Sequence, residues 1–253
     1  MADMPHAYRE VIRDSEEARP RSQQLAIGAS GVGTPCDRLL LYRLARAYGF
    51  NLFSWPAFVG SAVHERIASA FEFADDGRYL IEQEVTCGYL PDGSEVKGHC
   101  DLYDTDTDTV VDWKTTSAAS IKQIRAKVFS GSCPSEQYRI QAHLYGAGMV
   151  MMGKRPKRVS LMFVPTSGNL TYAVEWSEAF DPQVVVAAFN RMQTLWANAE
   201  RMGWAEAVEQ ASTDPTACWF CPFKKLGSID SDKGKLPPCP CFKADDYTDL
   251  IGD

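Results

Sequence analysis

Residues 96–115, VKGHCDLYDTDTDTVVDWKT, hold the residue types and spacing that could do chemistry. They read as two β-strands joined by an acidic turn. Side chains on a strand alternate faces with period two. Asp112 and Lys114 therefore share one face, and Val111 and Trp113 take the other. On the first strand His99 and Asp101 share a face, opposite Cys100 and Leu102. If the strands are neighbours, Asp101, Asp112 and Lys114 converge. Two close carboxylates repel unless a cation lies between them, and hard divalent ions such as Mg²⁺ take such oxygen ligands. The lysine beside them can hold a water or a phosphate oxygen. The chemistry implied is metal-assisted phosphodiester hydrolysis. For a single strand aspartate the plainer reading is surface charge. Asp is depleted in strands, however, and Asp112 follows an apolar Val110-Val111 step, which favours a site.

A second set of chemistry-bearing residues lies near the C-terminus, where Cys218, Cys221, Cys239 and Cys241 crowd together. Cys-x-x-Cys presents two thiolates to one metal. Four thiolates suit either a structural Zn²⁺ or a [4Fe–4S] cluster. A zinc site would most simply use these four local cysteines. Cys87 and Cys100 sit in strand-like runs and read as small buried hydrophobes.

The elements that must position these groups follow from periodicity and turn residues. Residues 1–25 read as an arm that can hold a short helix, and 30–35 as a loop. No Gly-Lys-Ser/Thr follows that loop, so it is not a phosphate-binding P-loop. Residues 36–49 read as a helix stopped at Gly49. Residues 54–73 form a second helix, on which His64, Ile67, Ala68 and Phe71 keep helical spacing; on that pattern alone His64 reads as a packed core histidine. A strand at 79–89 leads through Pro91-Asp92-Gly93, a hairpin turn signal, into the central pair. A short basic helix at 118–129 and a helix at 135–151 come next. On the latter Tyr138, Gln141 and Tyr145 share a face, which as a stripe also reads as core packing with polar tips. Strands at 158–165 and 170–176 flank a turn at 166–169. A long amphipathic helix at 181–202, N-capped by Asp181, precedes a tail with little regular structure. Helices and strands interleave around one sheet, so the expectation is a single α/β domain: an arm (1–25), a core (26–205) and a cysteine-rich region (206–253) packing back on Cys36.

Composition sets limits. The chain has 253 residues with 45% hydrophobic content, enough for a substantial core. Its N-terminal segment lacks the apolar run of a secretory leader, and no apolar stretch approaches spanning length. A cytoplasmic protein without a membrane partner is expected, in which structural disulfides are rare. A formal net charge of −7 argues against a charge-driven nucleic-acid coat protein. A local groove remains compatible with it, since Lys122, Arg125 and Lys127 cluster directly after the Asp112–Lys114 strand.

Taken in order, Gly60-x-x-x-His64, Gly98-His99-Cys100-Asp101, Asp112-Trp113-Lys114 and Gln141-x-x-x-Tyr145 resemble the RecB-type branch of the PD-(D/E)XK nucleases. Cys36 with Arg38 and Tyr42, and Cys218-x-x-Cys221-Pro222, resemble its iron–sulfur exonucleases, which include the CRISPR-adaptation nucleases and related phage proteins. The resemblance runs from Cys36 to Cys241. It implies a restriction-endonuclease-like fold, a central mixed sheet flanked by helices with a C-terminal metal-cluster region. It implies that His64, Asp101, Asp112 and the Trp113 carbonyl bind Mg²⁺ or Mn²⁺, against the core reading of His64. Lys114 would orient the attacking water. Gln141 and Tyr145 would contact the DNA strand or support the metal. Glu82 or Glu84 would lie near the site. A [4Fe–4S] cluster would recruit Cys36 with Cys218, Cys221 and one of Cys239 and Cys241. The family places its last cysteine six positions after the second of the Cys-x-x-Cys pair, and here that position is Gly227.

Two function classes follow. One is a metal-dependent exonuclease acting on single-stranded DNA ends in recombination, repair or replication, with Tyr138 and Tyr145 as stacking faces and Lys122 and Arg125 guiding the strand. The other is a noncatalytic nucleic-acid-binding or adaptor protein with a zinc-stapled tail. The complete Asp101, Asp112, Lys114 set favours the enzyme. An RNase of the same fold is a third reading.

Overall fold

A computed structural model describes residues 4–18, 25–49, 53–74, 77–218, 221–224 and 227–239. The chain divides into two compact units and passes between them at four points, the last within the helix Pro182–Met202. Residues 28–33 and 55–191 form one unit; residues 1–27, 34–54 and 192–253 form the other.

The first unit is built on a five-stranded sheet of β1 (Tyr79–Tyr89), β2 (Glu95–Asp104), β3 (Thr109–Thr116), β4 (Arg158–Pro165) and β5 (Val174–Ala179), in that spatial order. Every neighbouring pair is antiparallel except β3–β4. That parallel pair needs a long crossover, supplied by helices at Ala118–Phe129 and Glu136–Met151. The central mixed sheet flanked by helices is thus the architecture expected. Apolar residues on β3 and β4, among them Val110, Val159, Leu161 and Phe163, are buried with Leu144 and Met149 of the second crossover helix.

In chain order the helices are α1 (Met4–Glu17), α2 (Ala29–Val32), α3 (Asp37–Leu44), α4 (Trp55–Ala74), α5 (Ala118–Phe129), α6 (Glu136–Met151), α7 (Pro182–Met202) and α8 (Trp204–Gln210). Ser117 and Ser135 cap α5 and α6 by accepting from Ser120 N and Tyr138 N, as N-cap serines do. Asp181 Oδ1 accepts from Gln183 N at the start of α7.

Several expectations need correcting. The arm holds a helix of 14 residues, α1, rather than a short one. The 30–35 segment begins in a helical turn, α2. The helix expected to run to Gly49 ends at Leu44, because Arg46 adopts φ 51° and reverses the chain. Residues 170–172 are a 3₁₀ turn, initiated by Asn169 Oδ1 accepting from Thr171 N, and the strand starts at Val174. The tail holds α8, a 3₁₀ turn at Pro215–Ala217, and a hairpin of β6 (Ile229–Ser231) and β7 (Gly234–Leu236). Cys241 lies outside the described residues.

In the second unit the hairpin is fastened at several points. Tyr48 N donates to Asp230 O and Asp232 N to Ala45 O. At its tip Lys233 Nζ sits 4.8 Å and 5.1 Å from the ring centroids of Trp196 and Trp204, and 3.1 Å from Glu200 Oε1. The two indoles meet edge to face at 5.1 Å, and Trp204 Nε1 donates to the same glutamate. The ammonium is therefore held by two π faces and a carboxylate.

Candidate active site

The site lies where β2 and β3 part. Their ladder runs Asp104↔Thr109, Tyr103↔Val110 and Leu102↔Val111. The next pair would be Asp101 opposite Asp112. There the Asp101 carboxylate enters between the strands and accepts from Trp113 N at 2.8 Å. Asp112 is 1% exposed. Lys114, two residues on and on the same face, brings Nζ to 2.6 Å from Asp112 Oδ2. The contact is an ion pair; by hydrogen-bond geometry Oδ2 has no partner among the described residues. A buried carboxylate is costly unless a cation meets it, and the Lys114 ammonium is one that does. Burial foremost, with the nearby Asp101 charge adding, pushes the Asp112 carboxyl up to about 7 against the opposing pull of Lys114.

Helix α4 delivers His64. The helix approaches β3 closely, since a Cβ on Gly60 would lie 3.1 Å from Thr115 Oγ1. Phe71 of the same helix meets Trp113 and Tyr79 at 5.8 Å and 4.9 Å between ring centroids. His64 Nδ1 lies 3.5 Å from Asp101 Oδ2. Burial pulls its pKa down, but Asp101 and Asp112 outweigh burial and raise it above the ordinary histidine value. The reading of His64 as a plain core histidine is therefore replaced by one of a group turned toward carboxylates.

A third strand supplies Glu82. Among the described residues, His64, Glu82 and Asp101 are the one group of three whose ligand atoms all lie within 4.8 Å. Glu82 has φ 48°, the left-handed region that a non-glycine residue seldom occupies. Such outliers cluster at functional sites. Glu84, the other candidate, pairs with Lys97 at 3.2 Å and lies 3.7 Å from His99. The two carboxylates and the imidazole of Glu82, Asp101 and His64 form a donor set that fits Mg²⁺ or, with nitrogen included, Mn²⁺, while Asp112 lies opposite Asp101 and outside that group of three.

Helix α6 closes the other side of Lys114. Its Nζ donates to Gln141 Oε1 at 3.0 Å, and Gln141 Nε2 donates to Tyr145 Oη at 2.7 Å. Tyr138, one turn earlier, places its ring centroid 4.6 Å from the same ammonium. The shared face of Tyr138, Gln141 and Tyr145 therefore backs the lysine. Tyr145 is 2% exposed and its ring abuts Gly98, where a Cβ would lie 2.5 Å from Cε1. It has no open face, which corrects its expected stacking role. Of the basic residues after β3, Lys122 is exposed. Arg125 donates to Tyr172 O at 2.9 Å and Lys127 to Pro134 O at 3.2 Å. Cys87 and Cys100 are buried, as expected of small hydrophobes.

The cysteines of the tail belong to the second unit with Cys36. The Cys36 thiol caps α3, accepting from Leu39 N at 3.4 Å. Cys36, Cys221 and Cys239 are buried, and Cys218 is half-buried. Burial pushes the Tyr42 phenol up; Arg38 opposes this, and the Cys239 and Cys221 thiols act with burial. Cys221 and Cys239 therefore both lie within electrostatic range of Tyr42. Tyr42 Oη donates to Pro237 O at 2.8 Å, and Arg38 Nη1 donates to Pro238 O at 3.1 Å. Buried Arg38 Nε has no hydrogen-bond partner among the described residues. A donor left so beside a thiol-lined region fits an anionic partner.

No protein-family profile and no curated protein matches the sequence. Similar solved structures include SSO0001, at 14% identity and TM-score 0.48, covering 79% of this chain and 84% of that one. A phage-related exonuclease from Haemophilus somnus 129PT is similar at 14% identity and TM-score 0.42, over 68% of this chain and 96% of that one. An alkaline exonuclease from Laribacter hongkongensis is similar at 14% identity and TM-score 0.48, over 70% and 89%. Among the described residues no helix is long and apolar enough to cross a membrane.

Proposed function

We propose that this chain is a divalent-metal-dependent nuclease that trims DNA from single-stranded ends, as part of recombination, repair or replication. The observation that carries the reading is Asp112: buried, opposite Asp101, with one oxygen accepting no hydrogen bond and Lys114 beside it. A binding module has no need of such an arrangement. Asp101, Asp112, Glu82 and His64, with the Trp113 carbonyl, would hold Mg²⁺ or Mn²⁺. When bound, the ion supplies charge stabilisation to a phosphoryl oxygen and lowers the pKa of a bound water. Lys114 then orients the nucleophile and the phosphate, and Gln141 with Tyr145 fixes where the ammonium points. Burial of Asp112 keeps water from screening these charges. The acidic balance of the chain speaks for one strand in a narrow groove, since gripping duplex takes many Lys and Arg contacts.

We further propose a [4Fe–4S] cluster on Cys36, Cys218, Cys221 and Cys239. Arg38 Nε would face its negative charge. The sequence supports this reading through Cys36 with Arg38 and Tyr42 and through Cys218-x-x-Cys221-Pro222, and a structural Zn²⁺ on the same thiols is the alternative.

The test is cleavage of a linear DNA single strand and its circular form with Mn²⁺, beside the visible spectrum and the iron, sulfide and zinc content of anaerobically purified protein. Cleavage of the linear strand alone, lost in Asp112→Ala and Lys114→Ala, is the expected result. Equal cleavage of circles sinks the end-trimming reading. No cleavage of either, with zinc in place of iron, supports the binding-module alternative.

A further inference from the structure

Lys114 carries three ammonium N–H bonds and no acceptor. Three groups surround it: Asp112 Oδ2 in an ion pair at 2.6 Å, Gln141 Oε1 accepting at 3.0 Å and the Tyr138 ring at 4.6 Å. The first two partners are fixed. Asp112 is buried, and Gln141, 5% exposed, is committed through its amide to Tyr145. Tyr138 differs. It is 37% exposed and stands in the first turn of α6, where Ser135 caps the helix through Tyr138 N. Its ring is thus the one solvent-facing partner of the ammonium among these three. A phosphate bound at Lys114 therefore has this ring within reach.

We propose that Tyr138 is the aromatic platform of the substrate site, on which the base of the nucleotide bound at Lys114 stacks. The proposal rests on the nuclease reading and adds to it the feature recognised, an unpaired base rather than a sequence. One part of the ring is spent on a cation–π contact, which is weak where solvent reaches it and can yield or persist. The exposed part is open to a planar partner. Base–aromatic stacking is indifferent to base identity, because every base has a π face. In a duplex that face is covered by neighbouring bases, so the platform selects a frayed or single-stranded end. Tyr145, the other tyrosine of the stripe, is enclosed against Gly98 and offers no such surface.

The experiment pairs a change in the protein with a change in the substrate. Linear single strands, each with one abasic position near an end, are compared with the intact strand in the wild type, Tyr138→Phe and Tyr138→Leu. Thermal melting and Mn²⁺ binding establish that each variant is folded and loaded. The wild type and Tyr138→Phe are expected to discriminate against one abasic position by about ten- to hundredfold, the range stacking on one ring supplies, mostly in KM. In Tyr138→Leu that discrimination should fall to near unity. A merely structural tyrosine would slow intact and abasic strands alike, leaving their ratio unchanged, and that result overturns the proposal. If the wild type cleaves nothing, the nuclease reading fails separately. Binding of the same strands in Ca²⁺ still reports on the platform: equal affinity for all of them refutes it, and a preference lost only in Tyr138→Leu upholds it.

Discussion

Gly98→Ala places one methyl group where β2 meets α6. The added Cβ would stand 2.5 Å from Tyr145 Cε1 and 2.9 Å from the Ala29 Cβ. Carbon atoms settle at about 3.5–4.0 Å, so the ring must withdraw by roughly 1 Å. Its hydroxyl now lies 2.7 Å from Gln141 Nε2; a shift of that size takes the pair past hydrogen-bond range. Overpacking of this kind costs about 1–3 kcal/mol. At roughly 2–4 °C per kcal/mol for a chain this large, the melting temperature should drop by about 2–12 °C. The second effect is on Lys114, whose acceptor Gln141 loses its anchor. A misplacement near 1 Å at a reacting group can cost on the order of 100-fold in rate, so single-turnover cleavage should fall further than folding requires. The assay is thermal melting in EDTA beside single-turnover cleavage in Mn²⁺ at a temperature where the variant is fully folded. Tyr145→Leu combined with Gly98→Ala should recover part of the stability, giving a coupling between the sites. If Gly98→Ala melts within 1 °C of wild type and cleaves at the same rate, the tight approach of Tyr145 to β2 is wrong, and with it the chain of contacts to Lys114.

Other perturbations bear on separate parts of the molecule. Asp112→Asn, which removes a charge that burial opposes more strongly than Lys114 supports, should raise the melting temperature in EDTA at pH 8 while abolishing stabilisation by Mn²⁺ and cleavage; a lower melting temperature in EDTA would show that the Lys114 ion pair outweighs burial and contradict this reading. Glu82→Gln should weaken Mn²⁺ binding by about ten- to hundredfold, the order that removing a supporting group costs, and unchanged affinity in calorimetry would exclude Glu82 from the site. Arg78 grips Asp104 through two nitrogens, at 2.7 and 2.5 Å, and holds its carboxyl down to about 2. A depressed carboxyl pKa stabilises the fold above the unfolded value and ceases to do so as pH falls through the folded one. The melting difference between wild type and Arg78→Met should therefore be full at pH 6 and shrink between pH 4 and pH 2. Cys36→Ser and Cys239→Ser should each remove iron and sulfide, and full cluster content in Cys239→Ser would point to Cys241 instead.

Period-two alternation was enough to put Asp112 and Lys114 on one face, and helical spacing was enough to align Tyr138, Gln141 and Tyr145. Both are local regularities, repeated within a single element. Glu82 could not be placed that way. Near the turn the hairpin pairs Tyr89 with Glu95 and Gly88 with Val96; carried on unbroken, that register sets Gln83 opposite Asp101. The irregularity between Thr86 and Gly88 moves the pairing by one, so Gln83 faces Cys100 and Glu82 falls opposite Asp101. A one-residue slip exchanges the faces of a strand, and no residue type announces this one. Helical spacing gave the side of α4 that carries His64 but not what that side meets. The end of α3 was hidden for a different reason: the left-handed residue is Arg46, where a glycine would have been the visible sign.

Cys239 stands eighteen positions after Cys221 in the sequence. As a slack tether, that interval would let the later thiol sample a wide volume and reach any partner at only a modest local concentration. Lys233, seated between two indoles and a glutamate, divides the interval into two shorter spans, and a shorter span costs less entropy to close. Delivery of Cys239 just after Pro237 and Pro238, whose carbonyls accept from Tyr42 and Arg38, is thereby made a property of the folded hairpin. That delivery depends on an ammonium ion held by aromatic rings as well as a carboxylate, so it should resist salt better than a simple surface ion pair would.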